Sequence, residues 1–429
     1  MISIDLIKTD PERVTRAIEK RGMKIDFAPL LELDKERREN LVKVDELKAK
    51  RNAESAKVPM LKKAGKDCSA IFAEMKELGE EISKLDEKVS ELENKIFEFL
   101  APIPNLVDED IIAGGKEANQ ELREFGKKPE FSFKPLSHID ICKINGFIDY
   151  ERGAKIAGNG SWVYTGEGAE LEWAILNYFI SEHLADGYRF MLPPHMLNYE
   201  CGFVAGQFPK FDSEVYWLDE KSKTSRFLLP TAETPLANLY RGEIIPQEQL
   251  PIKMFAYTPC YRREAGSYRA EERGMIRGHQ FNKVEMFQIT TKDGSDKAFD
   301  ELVAKAENLV KKLGLHFRTS KLAAEDVSAT MARTYDIEIW IPSMGIYKEV
   351  SSASNARDYQ ARRGNIRYRD SETKKTEYVH TLNASGLATS RLFPAILEQY
   401  QNEDGTVRVP EVLQPFMHGK KVIGKGKNA

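Results

Sequence analysis

The chain has 429 residues, of which 41% are hydrophobic and 31% are charged, with a formal net charge of −3. This length predicts a large core divided between two or three domains. The net charge excludes a general attraction to nucleic acid, so any polyanion site has to be a local patch. The four cysteines lie far apart, without a CxxC pair or a Cys/His cluster, at positions 68, 142, 201 and 260.

That cysteine pattern argues against structural zinc and against a disulfide framework, and it favours reduced thiols in the cytoplasm. The first residues contain no basic stretch followed by a long apolar run. We therefore expect neither a signal peptide nor a membrane span, and neither a membrane nor DNA as a partner.

The first hundred residues predict two long helices. One covers residues 27–57, and Pro59, Gly65 and Ser69 are expected to interrupt the chain after it. The next segment repeats apolar residues at heptad spacing and ends before Pro102, with the repeat formed by Ile71, Met75, Leu78, Ile82, Leu85, Val89, Leu92 and Ile96. We therefore predict an N-terminal domain over residues 1–105 that carries an antiparallel coiled-coil arm.

The predicted tip of this arm is basic. Only one acid, Glu54, accompanies a cluster made up of Lys48, Lys50, Arg51, Lys57, Lys62, Lys63 and Lys66. A run of charge on a helix is usually a solvated face. Because this run lies at the end of a projecting arm on a negatively charged chain, we interpret it as an RNA phosphate contact.

Residues 106–165 contain turn signals and predict a linker leading into a second domain over residues 166–429. In that domain, helices are predicted over 168–185 and 296–313, and strands over 190–192, 227–229, 254–260, 284–289, 337–341 and 347–352. Clustered strands with few helices between them favour a mostly antiparallel sheet, hence an α+β fold. No GxxxxGK[ST] motif occurs, so a nucleotide would be bound without a P-loop.

The most informative segment is Tyr261-Arg262-Arg263-Glu264, followed after a loop by residues 277–285. Apolar runs on both sides of the loop predict two antiparallel strands. The planar donor fork of arginine matches phosphate and carboxylate, and glutamates suit an ammonium group. The alternative from these residues alone is an exposed hairpin with surface ion pairs.

Together with other blocks in the chain, this segment resembles the seryl-tRNA synthetases, a family of class II aminoacyl-tRNA synthetases. The three class II signatures correspond to the helix and strand that end at Leu192-Pro193-Pro194, to Cys260–Glu264 with Arg277–Phe281, and to Gly386–Arg391 with Ala395–Glu398. Two further blocks point to serine, namely Thr231-Ala232-Glu233 and Glu349–Ser352 with Ser354-Asn355. The resemblance covers nearly the whole chain and implies a helical arm followed by a class II catalytic domain.

The resemblance implies catalytic roles for Arg262, which would bridge the α-phosphate and the amino-acid carboxylate, and for Arg391, which would hold the γ-phosphate. Glu264 would accept from the adenine amino group and Phe281 would stack on the ring. The remaining ATP-binding residues that it implies are Arg263, Arg277, Glu349, Val350, Ser351 and Ser352.

Glu349 and Ser352 would also hold Mg²⁺, since hard cations prefer oxygen ligands. Their spacing of three places them on opposite faces of a strand unless the strand bulges or ends there. The serine pocket that the resemblance implies consists of Thr231, Glu233, Glu285 and Ser385. Which glutamate binds the ammonium group and which the hydroxyl is left open.

The implied activity is formation of seryl-adenylate from L-serine and ATP with Mg²⁺, and transfer of serine to the 3′ end of tRNA(Ser), by a cytoplasmic homodimer. Whether selenocysteine tRNA is a second acceptor is left open. One alternative is a paralogue that serves self-resistance or supplies activated serine to a biosynthetic pathway. Another is a catalytically inactive homologue that binds RNA with its arm.

Three departures from the family pattern bear on these alternatives. Glu325 replaces the glycine of a Gly-Asp pair, so a backbone turn there is expected to differ. Ser390 stands before Arg391, where a glycine is common. The loop from Arg269 to Gly274 contains Glu271 and Glu272, two acids that would repel the phosphates of a tRNA acceptor end.

Overall fold

The computed structural model describes residues 1–264 and 274–426. Its helices are α1 Ile4–Thr9, α2 Pro11–Lys20, α3 Ala28–Lys63, α4 Ser69–Leu100, α5 His138–Asn145, α6 Tyr150–Ala157, α7 Glu167–Ala185, α8 Tyr199–Ala205, α9 Glu233–Leu236, α10 Ser295–Lys312, α11 Tyr359–Gly364 and α12 Thr389–Gln399. Short 3₁₀ helices cover Lys116–Ala118, Gln247–Gln249 and Glu411–Met417. None of the helices in the described ranges is long and apolar enough to cross a membrane.

The strands are β1 Gln120–Phe125, β2 Ile148–Asp149, β3 Val163–Tyr164, β4 Arg189–Met191, β5 Met196–Asn198, β6 Arg226–Leu228, β7 Ile244–Pro246, β8 Ile252–Tyr261, β9 Gln280–Thr290, β10 Phe317–Lys321, β11 Arg333–Ile341, β12 Ile346–Arg357, β13 Arg367–Arg369, β14 Thr376–Tyr378, β15 His380–Ala388, β16 Val407–Arg408 and β17 Val422–Ile423. Local side chains fix several helix starts. Ser3, Ser137 and Asp149 each accept a hydrogen bond from a first-turn amide and so cap α1, α5 and α6.

The chain divides into two compact units, one of residues 1–18 and 23–104 and the other of residues 19–22 and 105–429. The first unit contains the predicted arm as an antiparallel pair of α3 and α4. Ion pairs join Arg37 to Glu93 at 3.7 Å, Lys48 to Asp86 at 3.3 Å, and Lys50 to Glu74 at 2.9 Å. The partner numbers fall as the α3 numbers rise, which is the register of antiparallel helices.

The α4 heptad residues Leu78, Ile82, Val89, Leu92 and Ile96 are buried, as the periodicity predicts. The predicted interruption at Pro59 is wrong, because α3 continues through it to Lys63. A proline inside a helix forfeits a single backbone hydrogen bond. The long pairing with α4 offsets that local loss, and the chain reverses only at residues 64–68.

The second unit is built on an eight-stranded sheet in the order β1-β10-β11-β12-β15-β9-β8-β4. Its neighbouring strands are antiparallel except for β4 and β8, which are parallel. The predicted mostly antiparallel sheet and α+β class are therefore confirmed. Residues 106–165, where the sequence predicts a linker, contain ordered elements that include the edge strand β1.

The two faces of β9 differ, and this difference positions the site. Val284 and Met286 belong to a core that also contains Phe179 of α7, Phe299 of α10 and Phe393 of α12. Residues on the other face, Phe287 and Ile289, pack in a second core with Ile245 and Ile366. Earlier along that same face the second core ends, and Phe281, Lys283 and Glu285 are left lining a cavity.

Candidate active site

A cavity of about 680 Å³ opens on this face of the sheet. Strands β9, β12 and β15 and the start of α12 supply polar side chains to it, and segments outside the strands, including the one that follows β8, supply others. It brings together most of the residues singled out in the sequence, namely Thr231, Glu233, Arg262, Glu264, Arg277, Glu285, Glu349, Ser352, Ser385 and Arg391. A smaller adjoining space of about 110 Å³ adds Phe281 and Val350.

Glu285 forms the buried end of the cavity. Its side chain has no exposed surface and forms an ion pair with Lys283, whose ammonium also donates to Thr231 Oγ1 at 2.6 Å. Thr231 Oγ1 in turn lies 3.5 Å from Glu285 Oε2. A buried carboxylate is costly unless it is paired, and Lys283 supplies that pairing for Glu285.

Glu233 is the second carboxylate at this end, on the first turn of α9. Gln360 Nε2 donates to its Oε1 at 2.7 Å, and Asn383 Nδ2 lies between the two acids, 3.1 Å from Glu285 Oε1 and 3.4 Å from Glu233 Oε2. Removal from bulk water, together with the nearby Glu285 carboxylate, raises the pKa of Glu233 to about 7. An incoming cation would therefore be held more strongly once Glu233 is ionised.

The sequence analysis missed Lys283, Asn383 and Gln360. Lys283 stands two residues before Glu285 on β9, and Asn383 stands two residues before Ser385 on β15. Since alternate strand residues share a face, period-two spacing was a signal that could have found both. Gln360 lies on α11, and only the tertiary fold brings it to Glu233.

The arginines line the wider part of the cavity. Arg262 Nε donates to the Pro230 carbonyl at 3.2 Å, and its guanidinium lies 5.2 Å from the centre of the Phe281 ring. Arg277 Nε donates to Glu264 Oε2 at 2.6 Å. The predicted hairpin is present, because β8 and β9 pair antiparallel up to Tyr261 and Gln280.

Arg391 enters the cavity from the first turn of α12. Its Nη1 donates to the Glu349 carbonyl at 2.9 Å and lies 3.4 Å from Glu349 Oε2. The Glu349 carboxylate and carbonyl thus hold the Arg391 guanidinium in place, and Arg277 lines the same part of the cavity. A rigid pair of arginine forks is suited to a polyphosphate.

Glu349 and Ser352 lie on the same face of β12, as the proposed metal pair requires. The register with β11 shifts between Ile337 and Glu338, so that Ile337 faces Ser351 while Glu338 faces Glu349, and Val350 is the extra residue of a bulge. The bulge brings Ser352 Oγ to 3.0 Å from Glu349 Oε1. Strict alternation would have separated them.

Asp336 is a third acid at this point, which the sequence analysis did not include. Ser352 Oγ donates to its Oδ1 at 2.6 Å. Burial and the adjacent Glu349 carboxylate raise the pKa of Asp336 well above its usual range. Burial opposes ionisation of Glu349 as well, but Arg391 and the Ser352 hydroxyl outweigh it and lower the pKa of Glu349.

The oxygen donors of Glu349 and Ser352 fit a hard divalent cation. Among the residues that the structure describes, no group of three or more His, Cys, Asp or Glu side chains is arranged to hold a metal by itself. Mg²⁺ is commonly held by one or two carboxylates together with substrate phosphates and water. The donor set therefore fits an ion that arrives with a nucleotide.

Two residues of the predicted ATP set lie apart from this lining. Arg263 is exposed, with its backbone amide donating to Glu214. Ser351 is buried, and its hydroxyl donates to the Ser385 carbonyl at 2.6 Å, which ties β12 to β15. Their assignment to ATP binding remains a prediction.

Of the departures from the family pattern, Glu325 has no left-handed backbone, so its position does not need a glycine. Its amide donates to the Gly114 carbonyl at 3.0 Å. Ser390 is buried in the first turn of α12. The acidic loop from Arg269 to Glu272 lies outside the described residues.

The fold and the site are those of a class II aminoacyl-tRNA synthetase. Residues 216–400 match the family model described as tRNA synthetase class II core domain (G, H, P, S and T), and residues 1–107 match the seryl-tRNA synthetase N-terminal domain. The chain is 56% identical to serine–tRNA ligase 2 of Clostridium acetobutylicum and 43% identical to serine–tRNA ligase of Syntrophomonas wolfei, with at least 99% of each chain covered in both comparisons. The chain belongs to the seryl-tRNA synthetase family.

Solved structures agree with this assignment. The seryl-tRNA synthetase of Pyrococcus horikoshii complexed with ATP superposes with a TM-score of 0.89 at 32% identity, over 99% of both chains. The cytoplasmic serine–tRNA ligase of Naegleria fowleri in complex with AMP gives 0.85 at 28% identity, over 99% of this chain and 97% of that one. The expected arm and class II core are thus confirmed over the full length.

Proposed function

We propose that the protein acts as a serine–tRNA ligase, which forms seryl-adenylate from L-serine and ATP and then transfers the seryl group to the 3′ end of tRNA(Ser). The observation that supports this best is the composition of the 680 Å³ cavity. A pair of carboxylates at its buried end is continuous with three arginines and an oxygen-lined bulge at its mouth. Such a site can hold an ammonium group and a triphosphate at once.

Serine would bind at the buried end. Its ammonium group would lie against Glu233 and Glu285, and the hydroxyl would exchange hydrogen bonds with groups such as Thr231 and Asn383. The Ser385 side chain lines the same end. An alanine in this site would leave these buried polar groups without a partner, which is how a pocket built for a hydroxyl rejects the smaller side chain.

The arginines would make the activation step possible. A serine carboxylate oxygen attacks the α-phosphorus, the bond from that phosphorus to the bridging oxygen of the β-phosphate breaks, and pyrophosphate leaves. Two anions approach each other, so Arg262 would lie between them while Arg391 and Arg277 hold the leaving end. No protein nucleophile is needed, because positioning and charge neutralisation lower the barrier.

The ATP and Mg²⁺ assignments rest on the remaining lining. Adenine would stack on Phe281, with Glu264 accepting from its amino group once Arg277 turns toward phosphate. Glu349 and Ser352 would hold Mg²⁺, which neutralises phosphate charge when bound. Asp336 would keep the Ser352 hydroxyl oriented.

The arm would bind the body of the tRNA. Lys62, Lys63 and Lys66 at its tip are exposed, whereas Lys48 and Lys50 already pair with α4 acids. The exposed group is therefore the stronger candidate for a phosphate contact. A cytoplasmic homodimer, with the arm of one subunit serving a tRNA charged on the other, completes the proposal.

The activation half is tested by pyrophosphate exchange that depends on serine and ATP. Exchange should be present in the purified protein and should fall by about a thousandfold in Arg262→Ala, because that arginine touches both reacting groups. Absence of serine-dependent exchange in the wild-type protein would favour the inactive RNA-binding alternative, and an unchanged exchange rate in Arg262→Ala would refute the role given to Arg262. Growth support in place of a host enzyme separates the housekeeping ligase from a paralogue with another acceptor.

A further inference from the structure

A second cavity of about 740 Å³ adjoins the one described above, and we term it the annex cavity. Its outer wall is formed by Lys116, Lys128, Arg318, Trp340, Tyr347 and Lys348. It shares Arg277, Glu349 and Arg391 with the 680 Å³ cavity, which we term the nucleotide cavity. The annex cavity therefore begins where the proposed function places the leaving end of the triphosphate.

The annex cavity is lined mainly by positive charge. Lysines and arginines contribute six of its lining residues and acids contribute two, Glu338 and Glu349, although the whole chain has a net charge of −3. Arg318 is offset by Glu338 at 2.7 Å and Glu121 at 3.1 Å. Lys116 and Lys128 form no ion pair with any carboxylate in the described ranges. The Glu124 carboxylate senses the Lys128 charge, which helps the Tyr347 hydroxyl to lower the pKa of that acid, but it forms no ion pair with this lysine. A concave wall on which basic side chains outnumber acids concentrates small anions.

The Lys128 ammonium is held in place by aromatic rings. It lies 4.3 Å from the centre of the Trp340 ring and 5.1 Å from that of Tyr347. Tyr347 is itself fixed, since its hydroxyl donates to Glu124 at 2.7 Å and lies 2.8 Å from His316 Nε2. A cation above a ring face is oriented without being neutralised, so its charge remains available to an anion.

The same contacts narrow the class of ligand. Lys128 lies over Trp340 and the Arg318 guanidinium lies 4.3 Å from the Tyr347 ring centre, so a cation already covers one face of each ring and competes with a nucleobase for stacking there. The cationic rim does not suit an apolar ligand either. A compact, densely charged anion remains.

We propose that the annex cavity is a second polyanion site that receives inorganic pyrophosphate as it leaves the nucleotide cavity. This inference rests on the proposed function, which supplies the pyrophosphate. Arg277 and Arg391 would pass the anion from the cleaved nucleotide to Lys116 and Lys128. The site would act in both directions, so it would also collect pyrophosphate for the reverse reaction.

The test is the KM for pyrophosphate in serine-dependent exchange by the full chain. In the double variant Lys116→Gln/Lys128→Gln we expect this KM to rise about fivefold, with the KM values for ATP and serine within about twofold of wild type. The variant Lys116→Gln/Lys128→Arg, which keeps a positive charge at position 128, should have a KM for pyrophosphate between those of wild type and the double glutamine variant. Lys297→Gln, an exposed lysine on α10, is the matched control.

An unchanged KM for pyrophosphate in a folded double variant overturns the proposal. If the KM for tRNA rises instead, the annex cavity is an RNA contact and the pyrophosphate assignment is wrong. If wild-type protein shows no exchange at all, the proposed function has failed. Calorimetric binding of inorganic pyrophosphate to wild type and double variant then decides the annex cavity separately, with equal affinities counting against it.

Discussion

The pH dependence of serine binding follows from the two carboxylates at the buried end of the cavity. The pKa of Glu233 is raised to about 7 by its removal from bulk water and by the neighbouring Glu285. Relative to an ordinary value of about 4.5, this displacement corresponds to about 3 kcal/mol of preference for the neutral form. The ammonium group of serine is protonated throughout the range from pH 6 to 8, and it needs an ionised partner.

The direction and size of the effect can be worked out from that value. With a pKa of about 7, roughly nine-tenths of Glu233 is ionised at pH 8 and roughly one-tenth at pH 6. The KM for serine at saturating ATP should therefore be about tenfold higher at pH 6 than at pH 8. The KM for ATP should change much less over the same range, because Glu233 lies at the serine end.

Glu233→Gln is the informative substitution because it keeps the shape and the oxygen that accepts from Gln360. It removes a charge-assisted hydrogen bond of about 2 kcal/mol, so we expect the KM for serine at pH 8 to rise about thirtyfold. The dependence on pH should flatten in this variant. Glu248→Gln, an exposed acid, is the matched control.

The assay is pyrophosphate exchange at several serine concentrations and at half-unit pH steps, with wild type and both variants in parallel. A wild-type KM for serine that is flat between pH 6 and 8 would refute the assignment of Glu233. So would a slope that persists unchanged in Glu233→Gln, since the titrating group would then be another residue.

Other predictions concern stability, metal dependence and RNA binding. Burial raises the pKa of Glu172 to about 7, so the contribution of this group to folding stability is full below about pH 4.5 and is lost as pH rises to about 7. In urea titrations, the free energy of unfolding of Glu172→Gln relative to that of wild type should therefore increase by about 2 kcal/mol between pH 5 and pH 8. A difference that does not depend on pH contradicts this. Ser352→Ala should raise the Mg²⁺ concentration for half-maximal exchange about tenfold, because it removes an oxygen and brings Asp336 and Glu349 into unrelieved repulsion; an unchanged Mg²⁺ titration would remove Ser352 from the metal pair. The triple substitution of Lys62, Lys63 and Lys66 at the arm tip by glutamine should raise the KM for tRNA at least fivefold and weaken the salt dependence of that KM, while exchange is unaffected. Normal charging by this variant would exclude the tip as an RNA contact.

Much of the catalytic sheet could be predicted because its strands alternate. Along β9, Val284 and Met286 face one core while Lys283 and Glu285 face the cavity, and the apolar run between turn signals already indicated a strand. The arm was equally predictable, since five of the eight heptad residues of α4 become buried. In both cases the local pattern and the tertiary environment agree.

Other features could not be read from the sequence for identifiable reasons. Strand β1 consists largely of polar and charged residues from Gln120 to Phe125, because it is an exposed edge strand, and so its segment was predicted as linker. The Val350 bulge depends on register with β11, which no single-strand pattern reveals. Gln360 and Asp336 reach the site only through tertiary packing and strand pairing.

The central claim is tested most directly by charging total tRNA with labelled serine, with unlabelled alanine and threonine as competitors. The account predicts that serine is attached to tRNA, that a large excess of either competitor leaves the rate nearly unchanged, and that exchange is present in the same preparation. Exchange without charging would keep the adenylate site but contradict the tRNA acceptor, and it would direct the search to another acceptor for the activated serine.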